Sequence, residues 1–85
     1  MDELFKSTPT IARKIAEAKI PDRWPLLVGS VIASYTTCME VKNGRLFVYI
    51  SSSVARNEVF MRRAVLKEEI NRLSGLEVIS TIIVK

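Results

Sequence analysis

The stretch VKNGRLFVYI, Val41 to Ile50, decides how this chain folds. Asn43-Gly44 between two alternating runs is the strongest short-range signal for a β-hairpin with a two-residue loop. A type I′ turn with Asn43 and Gly44 at its centre fixes the pairing: Lys42 faces Arg45, Val41 faces Leu46, Glu40 faces Phe47, Met39 faces Val48 and Cys38 faces Tyr49. Opposed residues share a face. One face is then Met39, Val41, Leu46, Val48 and Ile50, wholly apolar, and it must lie against other elements. The other is Cys38, Glu40, Lys42, Arg45, Phe47 and Tyr49, which a two-layer domain leaves to solvent.

Outward from the hairpin, about Thr37–Lys42 and Arg45–Ser51, the chain reads as follows. Thr8-Pro9 looks like an N-cap with Pro at the first helical position. A helix to about Lys19 would place Ile11, Ile15 and Ala18 on one face. Leu4 and Phe5 are expected to form a short turn before it that packs or frays. The run IPDRWP breaks the pattern, and Asp22 can cap a second helix from about Arg23 to Tyr35 with Pro25 in its first turn. Trp24, Val28 (or Leu27), Val31 and Tyr35 follow helical spacing there. Gly29 inside that helix costs roughly 1 kcal/mol relative to Ala, so it marks either a close backbone approach or an irregular helix. After the hairpin, Ser51–Ser53 offers an N-cap. A long helix is expected from about Val54 to Leu73, ended by Ser74-Gly75. A β-rich run from about Glu77 to Val84 closes the sequence. The expected class is α+β, two-layered, with a three-stranded sheet covered by helices on one face, in the order α-α-β-β-α-β. The helix between the second and third strands permits those two to pair in parallel.

Composition narrows the function. With 85 residues, one domain spanning 1–85 is expected, modest in core and open to help from a partner or a second copy. Hydrophobic residues are 48%, which suits a packed globule. No apolar run is long enough to span a membrane. The acidic, polar start lacks a signal-peptide pattern, and the single Cys38 fits a reducing compartment, so a cytoplasmic location is expected. With one Cys and no His, neither a structural zinc site nor a His-based triad can be built. Gly29, Gly44 and Gly75 are isolated and form no phosphate loop. The expectation is a protein that is not an enzyme, with no catalytic residue, metal or cofactor.

The net charge of +4 is mild. Seven basic and four acidic residues lie between Glu40 and Arg72, so most of the excess sits there. Phe47 and Tyr49 beside Lys42 and Arg45 on an open sheet resemble platforms that stack single-stranded bases and hold their phosphates. Two other readings of the two rings stay open: cover by the N-terminal segment or a second copy, and simple strand preference. On the long helix, Ala55, Val59, Leu66, Ile70 and Leu73 form one apolar stripe. Val54, Met61 and Val65 form a second, beyond a charged line of Glu58, Arg62 and Glu69. The simplest reading is one broad core face; otherwise the second stripe packs on the N-terminal helices or takes a partner. Arg63 and Lys67, four apart on the opposite border, are further candidates for phosphate contact.

Three groups of residues carry a family likeness. They are Trp24, Val28, Gly29, Ile32 and Ala33; then Asn43, Gly44, Leu46, Phe47, Val48, Ile50, Ser52, Ser53, Arg56, Asn57 and Glu58; then Ile70, Asn71, Gly75, Glu77, Val78 and Ile79. In that order and spacing, from about Trp24 to Val84, the sequence resembles the bacterial domain-of-unknown-function family 721, the DciA-like proteins associated with loading the replicative helicase. The resemblance implies a fold like the type II K-homology domain, binding of DNA, and the replicative helicase as partner; the first expectation is thus a small non-enzymatic accessory domain that contacts single-stranded or forked DNA and a replication partner. The GxxG loop with which K-homology domains clamp a nucleic-acid backbone is absent, so that mode is not carried over. Trp24 and Gly29 read as structural, an aromatic anchor and a close helix contact. The competing expectation is a protein-interaction module or homodimer that binds no nucleic acid.

Overall fold

A computed structural model describes residues 9–85. The expected N-cap at Thr8 and turn at Leu4 and Phe5 lie outside the described residues. The elements are α1 (Pro9–Val28), α2 (Ser30–Tyr35), β1 (Thr36–Lys42), β2 (Arg45–Ile50), α3 (Ser53–Met61), α4 (Arg63–Ser74) and β3 (Thr81–Val84). This is an α+β fold whose three-stranded mixed sheet has the order β1-β2-β3.

The hairpin folds in the expected register, from Lys42 opposite Arg45 to Cys38 opposite Tyr49. Asn43 and Gly44 both take positive φ, 53° and 77°, as a type I′ turn demands. β3 pairs with β2 in parallel, Arg45 with Thr81 through Val48 with Val84. Leu46, Val48, Ile50 and Ile82 are buried on the inner face, where they meet Ala55 and Val59 of α3 and Leu66 and Ile70 of α4.

A β-bulge at the start of β1 shifts the register so that Thr36, not Thr37, pairs with Ile50. The extra residue turns the Thr36 side chain toward the core. There its Oγ1 accepts the indole N–H of Trp24 at 2.9 Å and donates to the carbonyl of Ile32 at 3.0 Å. Trp24 is 2% exposed, and a buried indole N–H needs such an acceptor.

Three expectations about the helices are corrected. First, IPDRWP does not break the helix. α1 runs through Pro21 and Pro25, so Asp22 caps nothing. A proline inside a helix costs about 3 kcal/mol. Ala16, Ile20, Trp24 and Val28, four apart and all buried, supply the packing that offsets it. Ile11 and Ile15, on the face expected to be apolar and inward, are more than half exposed.

Second, the chain breaks at Gly29, with φ 94° and ψ 158°. That region is open essentially to glycine alone. An added Cβ would meet nothing within 4 Å, so the dihedral and not a close helix contact accounts for the residue.

Third, the long helix is two helices interrupted at Arg62, although no proline or glycine marks the spot. The Arg62 guanidinium crosses to α1, donating to the carbonyl of Leu27 at 3.2 Å. Carbonyls in the last turn of a helix lack internal partners, and a cation there also suits the helix dipole.

The segment expected to start a strand at Glu77 is irregular as far as Ser80. Asn71 pins it. Its Oδ1 accepts the amides of Val78 (2.9 Å) and Ile79 (3.1 Å), and its Nδ2 donates to the carbonyl of Ile79 (2.9 Å). Val78 and Ile79 are thereby held 99% buried. Ser80 closes the segment onto the hairpin, its amide bonding the Gly44 carbonyl at 2.7 Å.

Candidate nucleic-acid and partner interfaces

The outer face of the sheet follows from the register. The amide of Lys85 donates to the carbonyl of Val48 (2.8 Å), and its carbonyl accepts from Ile50 (3.1 Å), which sets Lys85 beside Tyr49. Across the three strands the face reads in rows: Lys42, Arg45, Thr81; then Glu40, Phe47, Ile83; then Cys38, Tyr49, Lys85. Phe47 and Tyr49 sit in the central strand, half-buried by their neighbours, with ring faces outward from the core. Lys85 Nζ lies 6.0 Å from the Phe47 ring centroid, at the limit of cation–π range.

Lys42 and Arg45 stand directly opposite each other at the turn. Like charges so placed destabilise a hairpin. Neither joins an ion pair among the described residues. Sequence reasoning missed Lys85, Thr81 and Ile83 on this face. Alternation along Thr81–Lys85 held the signal, but only the parallel register shows which residues point outward.

Arg63 and Lys67 lie in the helix layer, on the other side of the sheet from Phe47 and Tyr49. Both are engaged locally. The Arg63 guanidinium stacks 4.0 Å over the Phe60 ring and donates to the Phe60 carbonyl at 2.8 Å. Lys67 Nζ is 3.6 Å from Glu68. Thus Lys42, Arg45, Phe47 and Tyr49 come together, and Arg63 and Lys67 do not join them.

The second helix stripe does not fold into a broad core face. Val54, Met61 and Val65 are 79%, 73% and 61% exposed, and Leu73 of the larger stripe is 44% exposed. Val54 shares a shallow depression with Val31 and Tyr35 of α2, themselves largely exposed. That depression joins α2 to α3 and has Glu58 in its lining, with the Arg62 guanidinium 3.9 Å from the Glu58 carboxylate.

Among the described residues no group of three His, Cys, Asp or Glu side chains could hold a metal, and no helix is long and apolar enough to cross a membrane.

The family model described as "Dna[CI] antecedent, DciA" matches residues 1–84. The chain belongs to that family. No curated protein and no solved structure matches it.

Proposed function

We propose that this DciA-family domain is a non-enzymatic accessory of DNA replication that holds single-stranded or forked DNA on its outer sheet face and a replicative helicase on its helix layer. The observation that carries the reading is the outer face itself: two aromatic rings in the central strand, with Lys42, Arg45 and Lys85 around them and one acidic residue, Glu40. Stacked bases contribute about 1–3 kcal/mol each in such platforms, and the cations meet phosphates between them. Family membership supports the helicase as partner, and the exposed Val54–Met61–Val65 stripe, widened by Val31 and Tyr35, is where a helical partner would bury apolar surface.

Anisotropy of a labelled oligothymidine, titrated at low and moderate salt, tests the DNA half. Binding should weaken linearly in log–log form with salt, and replacing Phe47 and Tyr49 together by Ser should abolish it. Binding that survives the double substitution overturns the assignment of the face.

The exposed stripe favours a second reading, an interaction module or homodimer without nucleic acid. It predicts no binding of DNA even at low salt, with loss of the partner on Val54→Asp and Met61→Asp. Copurification with the replicative helicase and the mass of the protein in solution separate a helicase partner from a second copy.

A further inference from the structure

We propose that the outer edge of β3, with the groove that α3 forms beside it, takes an extended acidic segment of a partner protein as a fourth strand. β3 is an edge strand. The bonding of Lys85 to Val48 and Ile50 directs the backbone of Thr81, Ile83 and Lys85 toward β2, so the N–H and C=O groups of Ile82 and Val84 point away from the sheet. Among the described residues no other backbone group pairs with them. Such an edge is a template for strand addition.

Beside it is a groove of about 280 Å³ lined by Ser53, Arg56, Asn57, Phe60 and Val84. Arg56 is the one charged residue of that lining, and its Nε is buried without an acceptor among the described residues. A buried cationic N–H left unpaired is costly, and a carboxylate satisfies it best. Phe60 and Val84 supply an apolar wall, and Arg63 over the Phe60 ring places a second cation at the rim. In an added strand, residues two apart share a face. The groove thus asks for an acidic side chain at one position and a β-branched or aliphatic one two residues along.

The backbone pattern of the edge, together with its charge, favours this occupant over the alternatives. A second copy pairing β3 with β3 would set Arg56 and Arg63 against the same residues of its partner. Nucleic acid would leave the outward carbonyls of Ile82 and Val84 without donors, because a phosphate backbone offers acceptors only. The alternating donors and acceptors of a peptide backbone match this edge.

The test uses the isotope-labelled full chain and an end-capped octapeptide, Thr-Glu-Thr-Val-Thr-Glu-Thr-Val, which puts Glu and Val on one face. Amides of Ile82 and Val84 should shift and slow in exchange on titration to a few millimolar. A peptide with Lys for Glu should leave them unmoved. Arg56→Gln should weaken the acidic peptide about tenfold, while the Phe47→Ser/Tyr49→Ser variant should still bind the acidic peptide at β3 and discriminate against the Lys peptide, which separates this edge from the DNA-binding face. Absence of shifts at β3, equal response to the two peptides, or shifts on the Phe47 face instead would overturn the proposal; the two peptides decide it on the wild-type chain even if the Arg56 variant fails to fold.

Discussion

Replacing Asn71 by Ala removes three hydrogen bonds at once and nothing else of size. The amides of Val78 and Ile79 lose their acceptor, and the carbonyl of Ile79 loses its donor. All three groups lie where Val78 and Ile79 are 1% exposed, so water reaches them poorly. A backbone group stranded in this way costs about 1–3 kcal/mol. Taking the low end, because Asn71 itself is only half-buried, the three sum to about 3 kcal/mol. A chain of this size has roughly 4–13 kcal/mol of stability in all, so Asn71→Ala should remove a quarter or more of it. That corresponds to a fall in Tm of roughly 12–24 °C for a domain of this length. Trp24, the one tryptophan and buried in the core, reports unfolding by fluorescence in urea. Asn57→Ala is the control: its amide makes only a 3.6 Å contact with Met61 Sδ on the surface, and it should change stability by less than about 0.5 kcal/mol. Equal midpoints for the Asn71 and Asn57 variants would refute the idea that Asn71 holds the 76–80 segment.

Thr36→Val keeps the shape at the bulge but strands the Trp24 indole N–H, and should cost about 1–3 kcal/mol in the same urea titration. Gly29→Ala meets no steric obstacle, so its cost should be backbone strain alone, about 1–3 kcal/mol; D-alanine at that position, introduced by chemical synthesis, should be at least as stable as glycine. Neutralising Lys42, Arg45 and Lys85 to Gln should flatten the log–log salt dependence of single-strand binding by about 2 if all three meet phosphate, with little change in melting temperature because each is exposed. Arg62→Ala should cost about 1 kcal/mol or less, since its side chain is 41% exposed and its one strong contact is the Leu27 carbonyl, as measured by thermal unfolding.

How far the sequence can be read depends on how local the deciding interaction is. The Asn43-Gly44 turn sets the register of ten flanking residues through two dihedral angles, so the five pairs nearest the turn are legible, while the bulge that sets Thr36 against Ile50 has no mark in the turn. The parallel partner of β3 lies some 35 residues away, and nothing local says whether Thr81 or Ile82 faces outward; Lys85 was missed for that reason. α1 was misread in the opposite direction. Pro21 and Pro25 are strong local signals for a break, but four buried side chains on one stripe outweigh them, and tertiary packing has no local mark. The exposure of Val54, Met61 and Val65 is likewise not written in their spacing. A helix that bends at Arg62 and turns one stripe inward leaves the other outside.

The residues that carry the family likeness need a reason to be what they are, and for most the fold supplies it. Trp24 is tied to Thr36, Gly29 takes a dihedral others avoid, Asn43 and Gly44 form the turn, Ser52 caps α3 by accepting from Ala55, and Asn71 holds Val78 and Ile79. Phe47, Arg56 and Asn57 have no such internal task. Phe47 lies at the centre of the outer sheet face, and Arg56 and Asn57 line the groove at the edge of the same sheet. The two places are linked through β3, because Ile83 and Lys85 face outward while Val84 walls the groove. A strand added along β3 would put half of its side chains into the groove and the other half beside Ile83 and Lys85, widening the surface around Phe47. A partner segment bound at the edge would then alter the affinity of the face for single strands, and by linkage DNA on the face would change the affinity of the segment by the same factor. Titrating the octapeptide in the presence of saturating oligothymidine measures that factor directly; two sites that share one sheet should give a value other than one, and a value of one would show that the edge and the face act apart.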